Sequence, residues 1–377
     1  MTLELTQEQK DTGWQVKKLG EVSSITMGQS PHGRNVAGEH IGLPLLNGPT
    51  EFTAFSPIPV KWTEQITKVA MKNDILFCVR GSTTGRMNIA DQQYVIGRGI
   101  ASLRGATLPD TRYLYFTIQR YLPSLLQRAT GSTFPNISGA QLNDFEIPWP
   151  PDSVRNYITE VLGSVSDKIE ANSRLIQNLE ELADLTFDRY LEDLSEILED
   201  TTYGSLNFFG GGTPNTKTPD YWDGGLNWVT PTDVTSLKSH TLFESSRKIT
   251  EAGLAACSSK LHPAGSIMMT SRATIGRFAV NQVPAATNQG FIVVQPANEY
   301  ERWWIYHSMK KDVELFLLLA NGATFLELSR RVFKDIPLKM FHGKTELPAI
   351  HNQIIALEAE NKSLGETRNL LIRHLIG

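Results

Sequence analysis

The stretch "GSTFPNIS" from Gly131 returns as "GATFLELS" from Gly322, 191 residues later. A chain that repeats itself in order over that distance is expected to fold as two related units, and no other feature limits its architecture as much. The same offset pairs Ser138 with Ser329, Asp144 with Asp335 and Gly99 with Gly290. It also lays "DILFCVRGSTTGRMNIA" from Asp74 on "GSIMMTSRATIGRFAV" from Gly265, matching Thr83 with Thr274, Gly85 with Gly276 and Arg86 with Arg277. Nearer the start the offset is 183: "GQSP" at Gly28 lies on "GGTP" at Gly211, and "GLPLLNGPT" at Gly42 on "GLNWVTPTD" at Gly225. The difference of eight predicts an insertion in the second copy, around residues 236–256.

Each copy ends by changing period. After Pro151, apolar residues fall at Val154, Ile158, Val161, Val165, Ile169, Ile176, Leu179, Ala183 and Phe187. After Pro348 they fall at Ile350, Ile354, Leu357, Leu364, Leu371 and Leu375. Steps of three and four mark helices with one apolar seam, and the average period of 3.5 in the second is a coiled-coil signal. A proline opens each helix where its missing N–H costs nothing. Asn172 and Asn361 fall in the seams, where a buried polar residue sets register and an exposed one is merely solvated.

The expected layout is a globular domain over 1–150, a long helix over 151–198, a second globular domain over 199–346 and a shorter helix over 347–377. A first helix of some forty-five residues would reach roughly 65 to 70 Å. Antiparallel pairing would place the globules at opposite ends of a shared rod, related by a pseudo-twofold axis. Because the second helix is short, the first is expected to lack a partner beyond about Leu185, or to pair there with N-terminal residues. Strand-like runs such as "DILFCV", "YVIG", "GSIMMT" and "GFIVVQP" mix with helical stretches such as "TRYLYFTIQRYLPSLLQRA" in each globule. The fold class is therefore α+β, two duplicated α/β domains with two long helices.

The net charge of -4 hides an uneven distribution. Residues 1–150 hold 14 Lys and Arg against 12 Asp and Glu, and residues 201–346 hold 15 against 12. Residues 151–200 hold 4 against 13. The acid sits in the helical segment and both globules are mildly basic, which permits binding to DNA. Cys78 and Cys257 are far apart and read as core residues, with no disulfide framework or zinc site. No apolar run is long enough to span a bilayer and no leader is visible, so a cytoplasmic protein without membrane contact is expected.

Catalytic signatures are missing from the sequence. It contains no Gly-Lys-Ser/Thr phosphate loop, and "FFGGGTP" at Phe208 lacks the strand, spacing and helix of a dinucleotide fingerprint. No His-Glu-x-x-His motif or clustered ligand set appears, and the eight histidines are scattered and read as surface or packing residues. Trp303 and Trp304 follow helical spacing and belong to a core.

The repeated polar blocks suit DNA better. "VRGSTTGRMN" carries Arg80, Ser82, Thr83 and Arg86, and "TSRATIGRFA" carries Ser271, Arg272, Thr274 and Arg277. Hydroxyls and backbone amides bind phosphates, and arginine forks onto guanine O6 and N7. The plainer alternative is that these arginines close salt bridges and the glycines turn the chain. Gln29, Ser30, Thr213 and Asn215 in the glycine-rich loops, Asn47, Thr230 and Thr232 at the ends of apolar runs, and Arg98 complete the candidate DNA-binding set.

The order "WQVKKLGEV…GQSP…VRGSTTGR…GSTFPNIS…DFEIPWPP", a long helix, then "FFGGGTPNTKTPDYWDGGLNWVTPTDV…SRATIGR…TNQG…GATFLELSRRVFKDIPL" and a second helix resembles the specificity subunit of type I restriction-modification systems. The resemblance covers essentially the whole chain. It implies two target recognition domains, each reading half of a bipartite, asymmetric DNA site, and helices that set the unread spacer and dock two methylation subunits. Those partners would carry S-adenosylmethionine and methylate adenine, this chain binding no cofactor of its own, and a restriction subunit would join the larger complex. Base-reading residues do not carry over, since the family varies most where it reads. Two other readings are a stand-alone DNA reader, or recognition half of a split methyltransferase, and a non-DNA coiled-coil scaffold.

Overall fold

A computed structural model of the chain describes residues 3–38, 40–53, 55–129, 135–322 and 325–377. All of "GSTF" at 131–134, and Ala323 and Thr324 of "GATF", lie outside the described residues. The chain forms two compact units, Met1–Ala171 with Lys362–Gly377, and Asn172–Asn361.

The first unit is built on an antiparallel sheet in the order Ser23–Met27, Ile100–Gly105, Ile75–Cys78, Met87–Ile89. Its inner strand "ILFC" is unbroken in its apolar character because both of its faces are covered. Ile75 and Phe77 pack with Leu114, Ile118 and Leu125 of the helix Leu108–Gln127. Leu76 packs the other way, with Leu46, Phe52, Tyr94 and Ile96 around a second sheet. That second sheet contains a parallel pair, Leu43–Leu46 with Tyr94–Ile96, in the register Leu45 to Val95 and Leu46 to Ile96. The helix Leu108–Gln127 opens on a capping box between Thr107 and Asp110, and its far side carries Tyr113 and Phe116. These two share a core with Ile158 and Leu162 of the long helix Asp152–Asp193 and with Ile372 and Ile376 of the last helix, Leu347–Ile376.

The second unit repeats this register. Its main sheet runs Phe208–Gly210, Phe291–Val294, Ile267–Thr270, Phe278–Asn281, Thr241–Leu242, and its parallel pair matches Trp228 to Ala286 and Val229 to Thr287. Apart from Thr241–Leu242, which has no counterpart in the first sheet, these are the first copy's positions displaced by 183 and 191. The inner strand is displaced by 192 instead: Ile75 pairs with Leu103 and Cys78 with Ile100, where Ile267 pairs with Val294 and Thr270 with Phe291. The uniform 191 of the sequence comparison is therefore corrected. Nine residues enter before the inner strand and one is lost in the hairpin loop that follows it, so Arg80 corresponds to Arg272 rather than to Ser271. The recurring Ser138 and Ser329 also gain a reason, since each caps a five-residue helix through a hydroxyl 3.2 Å from a backbone N–H.

In the second unit Asn172 is buried and donates to Glu360 at 2.7 Å and to Asn361 at 3.0 Å, while Ile176 and Leu179 pack on Ile354. Rising numbers on one helix meet falling numbers on the other, so the pairing is antiparallel. The buried seam differs from the apolar count. Leu162, Ile372 and Ile376 are buried, and Val161, Leu371 and Leu375 only partly so. The helix Leu108–Gln127 packs on the same seam and turns it toward a third element, which a strict 3.5 period does not anticipate.

Two further expectations are overturned. Beyond Leu185 the long helix packs on the helix Glu299–Lys311: Phe187 meets Trp304 with ring centres 5.0 Å apart, and Lys311 reaches Asp188 at 2.5 Å. The histidines are not scattered, because four of the eight are buried and all four belong to the second unit. Three form a chain. His307 Nδ1 lies 3.1 Å from Asp184, His307 Nε2 lies 2.8 Å from His351 Nε2, and His351 Nδ1 lies 3.3 Å from His240 Nε2. Trp303 stacks on His351 at 3.7 Å and is fully buried like Trp304. Cys78 is core as expected, whereas Cys257 is partly exposed.

Candidate nucleic-acid interface

The parallel strand pair of each unit delivers two chain segments side by side at its carboxyl end, the usual place for a ligand beside parallel strands. In the first unit these segments begin at Asn47 and at Gly97. A third segment, Gly28–Ser30, crosses against them. Gln29 N–H donates to Ile96 O at 2.8 Å, Gly97 N–H to Leu46 O at 2.8 Å, and Arg98 N–H to Ser30 Oγ at 3.2 Å. A Cβ at Gly28 would sit 2.7 Å from the carbonyl oxygens of Ile96 and Ile100, so only glycine allows the crossing. Gln29, Asn47 and Arg98 are exposed on this platform, and among the described residues the Arg98 guanidinium forms no ion pair.

The second unit repeats both backbone-to-backbone bonds of the platform. Gly212 N–H donates to Thr287 O at 2.9 Å and Asn288 N–H to Val229 O at 3.0 Å. Thr213, the counterpart of Ser30, donates its hydroxyl to Gln289, the counterpart of Arg98. Thr230, opposite Asn47, is the cap of the helix Pro231–Thr235, its N–H and hydroxyl both 2.7 Å from Asp233. Thr232 is exposed on that helix. Asn215 is exposed and folds its own loop, accepting from Lys217 N–H at 3.0 Å.

The hairpin loop after the inner strand adjoins the platform in both copies. Val79 N–H donates to Gly99 O at 2.9 Å, and Ser271 N–H to Gly290 O at 2.7 Å. The loops turn through Gly81 (φ 88°) and Ala273 (φ 59°), the same position with glycine replaced by a residue that rarely adopts this conformation. The segment following "GSTF" or "GATF" is zipped onto the loop, Ile137 N–H to Val79 O at 3.0 Å and Leu328 N–H to Ser271 O at 2.9 Å. This pairing is why the two motifs recur together.

Arg80, Ser82, Thr83, Thr274 and Arg277 are exposed. Ser271 is buried at 3% exposure, at the floor of the groove that Arg272 and Gln289 line. Arg86 donates to Phe52 O at 2.7 Å and ties down the neighbouring loop, and Arg272 pairs with Glu327 at 2.9 Å. The salt-bridge role considered for these arginines thus holds for Arg272, while Arg86 bonds a backbone carbonyl instead. Sequence reasoning missed Gln289, Arg330 and Arg331, which with Arg272 line one groove of the second unit. Their only signal was position, within repeated blocks where the first copy has Arg98, Gly139 and Ala140. Among the described residues no cluster of histidine, cysteine or carboxylate has the makings of a metal site, and no helix is long and apolar enough to cross a membrane.

Residues 11–181 and 204–340 match the family model described as type I restriction modification DNA specificity domain. The MjaIX specificity subunit of Methanocaldococcus jannaschii is 35% identical over 34% of this chain, and the MjaX specificity subunit of the same organism, described as putative, is 31% identical over 44%. The matches span only 30% and 40% of those relatives' own length. The HindI specificity subunit of Haemophilus influenzae is 22% identical, over 83% of this chain and 87% of that one. Among solved structures, the type I system S subunit from M. genitalium shares the fold with a TM-score of 0.62 and 17% identity, covering 100% of this chain and 98% of that one. With its duplicated sheets and the family model matched over most of its length, the chain belongs to the type I restriction-modification DNA specificity family.

Proposed function

We propose that this chain is the DNA sequence-recognition subunit of a type I restriction-modification complex, each unit reading one half of a bipartite, asymmetric site. The observation that carries this reading is the rebuilt platform: the same backbone bonds beneath the surface, with different exposed side chains above. A pair of readers that share a frame and differ in side chains recognises two different half-sites. Mildly basic globules beside an acidic helical segment favour contact with phosphates at the globules.

The paired helices set the unread spacer and dock methylation subunits, two per chain, and restriction subunits join the complete complex in the cytoplasm. The chain itself performs no chemistry and binds no cofactor; S-adenosylmethionine belongs to the methylation partner. Methylome sequencing of cells with and without the gene tests this. The expected result is a bipartite motif, methylated on adenine, that disappears with the gene. An unchanged methylome, or methylation by the isolated chain, refutes it.

A further inference from the structure

We infer that one equivalent position in the two platforms, Arg98 in the first unit and Gln289 in the second, selects a base in each half-site, guanine for Arg98 and adenine for Gln289. The inference rests on the DNA-recognition reading above and adds which residues discriminate. Both residues directly follow the platform amide that bonds the neighbouring strand, Gly97 to Leu46 and Asn288 to Val229. Both meet the hydroxyl of the crossing segment, Ser30 or Thr213. Both are exposed. Within a frame held by matching bonds, the side chain is what differs.

The hydroxyl acts differently on the two, and the chemistry of each side chain explains why. Arginine has no acceptor, so Ser30 bonds the Arg98 backbone N–H and leaves the guanidinium fork open, with donors suited to guanine O6 and N7. Glutamine has a carbonyl with two lone pairs, and Thr213 donates to one of them. That bond fixes which end of the amide is which. The second lone pair and the NH2 remain for adenine N6 and N7. Around Gln289, Arg330 and Arg331 line the same groove beside the Arg272–Glu327 pair and supply phosphate contacts that hold the register. Thr213 is a positioning residue, acting through Gln289.

The full chain, co-expressed with methylation subunits, is offered a randomised duplex library, and bound duplexes are sequenced alongside melting curves. Gln289→Arg is expected to convert one adenine of one half-site to guanine, with roughly tenfold or greater preference, and to leave the other half-site unchanged. Arg98→Gln is expected to make the reciprocal change in the other half-site, and Thr213→Val to blur the position that Gln289 reads. Wild-type motifs from both exchange variants overturn the inference. So does a variant that folds and selects nothing, or one that fails to fold, because the side chain then serves the frame instead of choosing a base. A wild-type complex that enriches no motif sinks the DNA-recognition reading itself, a distinguishable failure.

Discussion

Acid should loosen the second unit before the first. The perturbation is a shift from pH 7.5 to 5.5, a range in which histidine alone among ordinary side chains changes charge. The three histidines of the chain fit as neutral rings with one proton each: Asp184 takes the His307 Nδ1 proton, His307 Nε2 accepts from His351, and His351 Nδ1 accepts from His240. Burial lowers His307 and takes His351 well below the ordinary histidine value. Lys310 disfavours a further charge on both, while Asp184 favours one on His307. Burial pushes the Asp184 carboxyl up, but the bonds from His307 and Lys310 outweigh it, so Asp184 stays ionised in this range. His240 Nδ1 lies 3.8 Å from Glu180. Separately, burial pulls His262 down to about 4.

A folded value below 6.5 means that the unfolded state binds more protons under pH 6.5, so stability falls as pH falls through that value and continues to fall toward the folded value. For His262, the gap between 6.5 and about 4 makes the loss at pH 5.5 roughly 1.4 kcal/mol. His307 and His351 act in the same direction, and no single group contributes more than about 1.4 kcal/mol per pH unit. The three together therefore remove at most about 4 kcal/mol over the first unit below 6.5. The first unit holds no buried histidine among its described residues and serves as the reference. Native-state hydrogen exchange, corrected for intrinsic rates and read on peptides of each unit, measures both at once. Protection that falls in parallel in the two units, or not at all in the second, refutes the reasoning. In His351→Gln the pH dependence of the second unit should shrink.

Two other outcomes are expected. Arg155 is buried, pairs with Asp110 at 2.8 Å and lies over the Trp149 ring at 4.2 Å, so Arg155→Ala strands a buried carboxylate and should cost the first unit about 3 to 5 kcal/mol in urea unfolding. Arg277→Ala should weaken duplex binding and lower the slope of log affinity against log salt by about 1 without changing the melting temperature, as seen in binding titrations across salt. Arg86→Ala should also lower the melting temperature, because Arg86 holds Phe52 O.

The duplication, the two helices and the candidate loops were legible because each rests on local sequence. Strand periods, glycines at crossings, serine caps and an apolar seam are written residue by residue. The polar loops were legible as loops, but their members were not separable. Ser271, Thr230, Arg86 and Arg272 look like their exposed neighbours in the sequence, and only the folded chain shows one buried, one capping a helix and two bonded to other segments.

The sequence by itself determined that there are two related units with helices after each, since a repeated pattern of burial and turns specifies a repeated fold. Tertiary structure alone decided the rest: the one-residue slip that aligns Arg80 with Arg272, the third helix that turns the seam, and the buried histidine chain. It also decided the meeting of residues 98 and 289 with hydroxyls some seventy positions earlier. Those pairings join residues far apart along the chain, whose proximity depends on how sheets and helices close upon one another rather than on any local preference.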